Sequence, residues 1–151
     1  MRRNIMVLAF ILLAANTSAG QVRKITRADL PAAVERTVAA QSQGATFRAV
    51  TEETENGQVF YEVELIVGGH TKDLRIDASG AVVEMEEQVA LNALPAPVRA
   101  ALTARAAGGR VLSVEAITKR GRLVAYGARV EVGRQRSEIQ VDPDGKPLPQ
   151  E

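Results

Sequence analysis

The chain of 151 residues is 46% apolar and 25% charged, as in ordinary globular proteins, and its net charge of +1 is too small for the electrostatic footprint of a nucleic-acid binder. It contains no cysteine, which excludes disulfide stabilisation and a lipid-anchored lipoprotein. Its three Phe and two Tyr are too few for a platform that stacks single-stranded bases.

Residues Met1 to Ala19 have the form of a secretory signal peptide. Arg2 and Arg3 supply a positive start, Ile5 to Ala15 is an apolar run too short to span a bilayer comfortably, and Thr17-Ser18-Ala19 offers small residues for cleavage. The expectation is export to the periplasm or beyond, with no stable membrane insertion once the leader is removed. About 130 residues then remain, enough for a compact domain.

From Gln21 the chain reads as two copies of one unit. Leu30-Pro31-Ala32-Ala33-Val34 returns 64 residues later as Leu94-Pro95-Ala96-Pro97-Val98, and Gly44, Val50 and Gly57 return as Gly108, Val114 and Gly121. After one inserted residue, Tyr61, Val67, Asp77 and Gly80 return as Tyr126, Val132, Asp142 and Gly145. The expected units are 21–87 and 88–151. A lone copy of this length would be marginally stable, so the two are expected to share a core or a sheet.

In the first unit Val22 to Ile25 suits a short strand. A helix is expected from about Leu30 to Gln43, with Asp29 as its cap, Pro31 in its first turn and Leu30, Val34 and Val38 as an apolar stripe. Gly44 stops it. Strands are expected at 45–54, 59–67, 71–77 and 81–87. Asn56-Gly57 is a two-residue hairpin signal, and Asp77 and Gly80 suit the first and fourth positions of a type I turn. Tyr61, Val63, Leu65 and Val67 alternate with Glu62, Glu64 and Ile66, so one face of that strand can lie on the helix and the other meet solvent. Leu74 and Ile76 alternate with Asp73, Arg75 and Asp77 in the same way. The second unit repeats the pattern with a helix at 94–107, strands at 110–118, 123–132 and 136–141, and a weak element near Leu148 that Pro147 and Pro149 confine to an edge or tail. The fold class expected is α+β: two tandem repeats, each a helix packed on an antiparallel four-stranded sheet.

The helix-then-four-strands order, the Leu-Pro-x-x-Val starts at Leu30 and Leu94, the strand Tyr61-Glu62-Val63-Glu64-Leu65 and the turn Ile76-Asp77-x-x-Gly80 together resemble the PepSY-like domains of exported bacterial proteins. Two in tandem also resemble the architecture of the β-lactamase inhibitory protein. The likeness covers nearly all of 21–151 and implies an α+β fold and, more loosely, binding or inhibition of another protein, often a peptidase or hydrolase. No functional residues carry over, because the matching positions are structural.

No catalytic, metal or cofactor constellation is present, and the chain is expected not to be an enzyme. His70, the only histidine, follows Gly68-Gly69 and reads as a hairpin-tip residue, since one imidazole without partners makes neither a triad nor a metal site. Asp142-x-Asp144-Gly145 lacks the rest of a calcium loop and reads as a turn. Charge is more informative. Residues 21–87 carry 7 basic and 12 acidic side chains, and 88–151 carry 10 and 6. The contrast concentrates at equivalent turns, Glu52-Glu53-Thr54-Glu55 against Lys119-Arg120-Gly121-Arg122, and could steer a partner or merely be solvated. The leading expectation is a protein-binding module acting on a protein of the cell envelope, an inhibitor or regulator of a periplasmic peptidase or hydrolase. The candidate partner-binding residues are Glu62, Glu64, Arg75, Lys119, Arg120, Arg122, Arg129 and Glu131. The alternative is a binder of a small ligand or envelope component, held between helix and sheet or on the sheet face.

Overall fold

In the computed structural model, which describes residues 21–149, eight strands and two helices follow one another along the chain. Strand β1 (Gln21–Ile25) leads through a 3-10 turn (Arg27–Asp29) to helix α1 (Ala32–Gln41), followed by β2 (Ala45–Glu55), β3 (Gln58–Val67), β4 (His70–Asp77) and β5 (Val82–Val89). A second 3-10 turn (Leu91–Ala93) precedes helix α2 (Ala96–Arg105) and then β6 (Arg110–Lys119), β7 (Arg122–Val132) and β8 (Gln135–Val141). The leader expected at Met1 to Ala19 lies outside the described residues.

The expectation of two four-stranded sheets, each with its own helix, is overturned. All eight strands form one antiparallel sheet in chain order, β1 to β8. Strand β5 pairs with β6 from Glu84 opposite Lys119 to Val89 opposite Val114, so the presumed boundary near residue 87 falls inside a hydrogen-bonded ladder. Left apart, β5 and β6 would each present an unpaired edge to water, and joining them removes both. The first half supplies five strands and the second three. Near Leu148 there is only a bridge from Val141 to Pro147 and a bond from the Leu148 N–H to the Gln140 carbonyl at 3.1 Å. Prolines at 147 and 149 have no N–H to extend a ladder. The molecule is thus mostly β, with two ten-residue helices.

Both helices begin later than the apolar stripes suggest. Leu30 and Leu94 precede prolines, whose rings push the preceding residue out of helical geometry; both are extended, with ψ of 138° and 150°. The helices start at Ala32 and Ala96, with Pro31 and Pro95 at the cap position. Asp29 caps the 3-10 turn instead, accepting hydrogen bonds from the Thr26 N–H (2.8 Å) and hydroxyl (2.7 Å), which hold its carboxyl below the usual range.

The two helices cover the same face of the sheet. Val34 and Val38 of α1 pack on Val50, Tyr61, Val63, Leu65, Leu74 and Ile76. Val98 and Leu102 of α2 pack on Val114, Ala128, Val130, Ile139 and Val141. Met85 and Val89, on one side of β5, join the first and second clusters respectively, which places both on one side of the sheet. Leu102 is fully buried. Truncating it to alanine should lower stability by about 2–5 kcal/mol in urea titrations, and a loss below about 1 kcal/mol would mean that α2 does not anchor its half of the core.

Two turns run close beneath the helix N-termini. In 77–80 the Asp77 carboxylate accepts the Ser79 and Ala81 N–H groups (2.9 and 3.0 Å), and the Thr37 hydroxyl donates to the Gly80 carbonyl at 2.6 Å. Asp142 does the same for Asp144 and Lys146 (2.9 and 2.8 Å). Gly80 (φ +88°) and Gly145 (φ +87°) sit against the backbones of Ala33 and Pro97.

Candidate functional site

The face opposite the helices is not covered by any element among the described residues. Its residues follow from the register: Glu62 lies opposite Arg75, which lies opposite Glu84, which lies opposite Lys119. One row along, Glu64 lies opposite Asp73, Asp73 opposite Glu86, Glu86 opposite Ile117, and Ile117 opposite Ala125. The turns β2–β3, β4–β5 and β6–β7 fall at one end of this face, and a groove of about 970 Å³ opens among them. Ile117 and Ala125, 4% and 3% exposed, form part of its floor, flanked by Phe60, Val83, Val124 and Leu148.

Arg75 organises the groove's first wall. Its guanidinium lies 4.2 Å from the centre of the Phe60 ring and pairs with Glu53 (3.1 Å), Glu62 (3.2 Å) and Glu55. This position, 18% exposed, makes the group a clamp within the sheet rather than a free cation. The acidic tip seen in the sequence is therefore largely matched: Glu53 and Glu55 bind Arg75, and Glu52 turns to the helix side to meet Arg23 at 3.1 Å. Of the basic tip, Lys119 pairs with Glu84 at 3.3 Å, while among the described residues no salt bridge holds Arg120 or Arg122, and Arg120 acts on Asp77 at longer range. Both tips stand at the same end of the sheet, around this groove. Arg120 adopts φ +49° and Gly121 φ +77°, both residues having the positive φ that a tight hairpin turn demands.

The middle of the face is dominated by carboxylates. Burial pushes the Glu86 carboxyl up to about 8, helped by repulsion from Glu115, Glu84, Asp73 and Glu138. Burial likewise raises Asp73 to about 6, with Glu64 and Glu115 adding repulsion and Arg129 opposing it. Glu62 is raised to about 7 by burial against the pull of Arg75. Glu115, the one buried carboxylate among the described residues, is raised by burial and meets Arg129 at 3.3 Å.

Of the eight residues singled out from sequence, Glu62, Glu64, Arg75, Lys119 and Arg129 lie on this face, and Arg120 and Arg122 border it. Glu131 stands apart toward the opposite end, tied to Arg110 and to Arg136 (3.1 Å). Sequence reading missed Phe60, Asp73, Glu86, Glu115 and Ile117. In β5, Glu84 and Glu86 point one way while Met85 and Glu87 point the other, so alternation could not say which glutamates share a face.

No protein-family model matches the chain, and no curated protein matches it. Solved structures do. A BLIP-like protein from Bacteroides fragilis superposes with a TM-score of 0.60 at 19% identity, over 81% of this chain and 85% of that one. The fold is similar to a BLIP-like architecture. A DUF2874 family protein from Bacteroides ovatus (TM-score 0.61, 18% identity, 80% and 85% covered) and a candidate periplasmic protein from Bacteroides eggerthii (0.65, 17%, 81% and 88%) share it. The β-lactamase inhibitory protein architecture noted from the sequence is thus supported at the level of fold. In this BLIP-like arrangement no helix among the described residues is long and apolar enough to cross a membrane, and no group of three or more acidic or histidine side chains among them is placed to hold a metal ion.

Proposed function

We propose that the chain is an exported, non-catalytic binding module, built from a duplicated PepSY-like unit, which takes a cell-envelope protein on the open face of its sheet and inhibits or regulates a peptidase or hydrolase there. The observation that carries this reading is the uncovered face itself. Eight strands at about 4.8 Å spacing, with about 30 Å of strand length, present on the order of 1,000 Å², comparable to one partner's share of a standard protein interface. The space between helices and sheet, by contrast, is filled by the two core clusters. A BLIP-like neighbour and a candidate periplasmic neighbour support the class and the compartment, as does the leader sequence.

The test is cross-linking of the tagged mature chain in its native envelope, followed by affinity measurement against the protein captured. Phe60→Ala should weaken that complex at least about tenfold, because an aromatic side chain on a docking face is the type of residue that carries binding energy. Arg36→Glu, on the exposed side of α1, should leave it unchanged. The reverse pattern would assign binding to the helix side. Capture of a small ligand in the groove, with no protein, would favour the ligand-binding alternative.

A further inference from the structure

We propose that the segment received on this face is a protein loop presenting a lysine or arginine, its cationic head held by the row Glu64, Asp73 and Glu86 and its flanking apolar side chain by the groove floor at Ile117. This rests on the protein-binding reading above and adds the chemistry of the partner.

Two independent features converge on it. The first is the groove, whose wall includes Glu86 and whose floor includes Ile117 and Ala125, so an apolar surface and an acidic one meet at a single place. The second is the row itself. Glu64 faces Asp73 and Asp73 faces Glu86 in successive antiparallel pairs, where opposed side chains stand about 5 Å apart and like charges are destabilising. Six other carboxylates near the groove have a cation or a turn to bind: Glu53, Glu55 and Glu62 have Arg75, Glu84 has Lys119, Glu115 has Arg129, and Asp77 binds its own turn. Among the described residues no salt bridge reaches Glu64, Asp73 or Glu86; Arg129 acts on Asp73 only at longer range, and Glu86 shares a hydrogen bond with Glu115 instead of a cation. A lysine or arginine from outside supplies the missing charge at the point where the sheet lacks it, and the electrostatic match would set both the register and the choice of partner. Arg120 and Arg122 at the mouth oppose a cationic visitor and provide a sign test.

Proton linkage gives a further handle. The row faces Glu62 on β3, Arg75 on β4, Glu84 on β5, Glu115 and Lys119 on β6, Arg129 on β7 and Glu138 on β8. Amid these groups Asp73 is raised to about 6 and Glu86 to about 8, so a cation finds the row more fully ionised at pH 8 than at pH 6.

The experiment is calorimetric titration of the full mature chain, at low salt, with a cyclic hexapeptide carrying two lysines beside a leucine, with its two-glutamate counterpart, and with spermidine. The lysine peptide should bind one to one, several-fold more tightly at pH 8 than at pH 6. Glu64→Gln, Asp73→Asn and Glu86→Gln combined should weaken it at least about tenfold while leaving the chain folded, since they relieve repulsion. Arg120→Glu with Arg122→Glu should tighten it by about threefold. Preference for the glutamate peptide, tightness unchanged by the triple substitution, weakening by the Arg120 and Arg122 reversal, or no binding of the lysine peptide at about 1 mM would each overturn the proposal. If the glutamate peptide binds and Phe60→Ala weakens it, docking of a protein on this face stands and only the cationic occupant falls. If spermidine binds tightly and neither peptide does, the protein-binding reading falls as well.

Discussion

Gly80→Ala should destabilise the protein by about 2–5 kcal/mol, far more than the addition of one methyl group suggests. A Cβ at this position would lie 2.6 Å from the Ala33 carbonyl oxygen and 2.9 Å from its carbon, both backbone atoms at the start of α1. A flexible side chain could swing aside; a helix backbone must move as a whole. The residue also holds φ +88°, where an L side chain is strained even in open space. Overpacking of about 1–3 kcal/mol thus adds to a conformational cost of about 1–2 kcal/mol. Gly145→Ala should behave alike, since its Cβ would meet the Pro97 carbonyl oxygen at 2.7 Å. Gly57→Ala separates the two causes: its φ is +77° but nothing lies within 4 Å of the added carbon, so only the conformational cost applies. Urea midpoints of the three variants decide the matter. Equal losses at Gly80 and Gly57 would show that the turn can withdraw from α1 without penalty.

The second large effect is a stability that falls as pH rises from about 5 to 8. Glu86, Glu62 and Asp73 titrate near 8, 7 and 6 in the folded chain and near 4.5, 4.5 and 3.8 when free of their surroundings. Over that interval the folded state binds more protons than the unfolded state, so the slope of unfolding free energy against pH is negative. The loss should be about 2–4 kcal/mol across the interval, once allowance is made for the solvent that reaches these side chains and for their mutual coupling. Glu62, 40% exposed and beside Arg75, contributes least. At the acid end, Asp29, Glu35, Asp77 and Glu131 act in the opposite sense: their carboxyls are held low by hydrogen bonds, and the stability they confer above pH 4.5 is lost as pH falls through their folded values. The maximum should therefore lie near pH 5. Glu86→Gln should flatten the alkaline limb and raise the melting temperature at pH 8. A profile rising monotonically from pH 5 to 8 would show that the carboxylates on the open face ionise freely.

These features differ in how far they could be read in advance. Strict alternation exposed the core side of β3 and β4, and Tyr61, Val63, Leu65, Leu74 and Ile76 are all buried. Val67, expected with them, is 40% exposed because it lies at the turn into β4, beyond the cluster under α1. Asn56 and Gly57 both adopt positive φ, as their residue types demand. Arg75's clamp was not legible, because Glu53, Glu55 and Glu62 reach it from different strands and only register brings them together. That the halves share a core or a sheet was expected from their size, but that β5 joins β6 to do so was not legible. A turn signal marks partners that adjoin in sequence, whereas these strands are separated by a helix, and their pairing follows from the need to cover two edges.

Strand order equal to chain order also governs how the molecule can be made. Each strand lies beside the one before it, so a chain emerging N-terminus first adds strands to a finished edge and never waits for a distant segment. Contacts are local for so β-rich a protein, which favours fast folding. The exceptions are the two helix crossings: β1 waits for β2 beyond α1, and β5, with four strands already paired, waits for β6 beyond the whole of α2. While the roughly 30 residues from Ala90 to Lys119 are still arriving, β5 is an open edge carrying Val82, Val83, Met85 and Val89. That is the moment of greatest exposure to misassociation, and it closes only when the second half of the sheet begins.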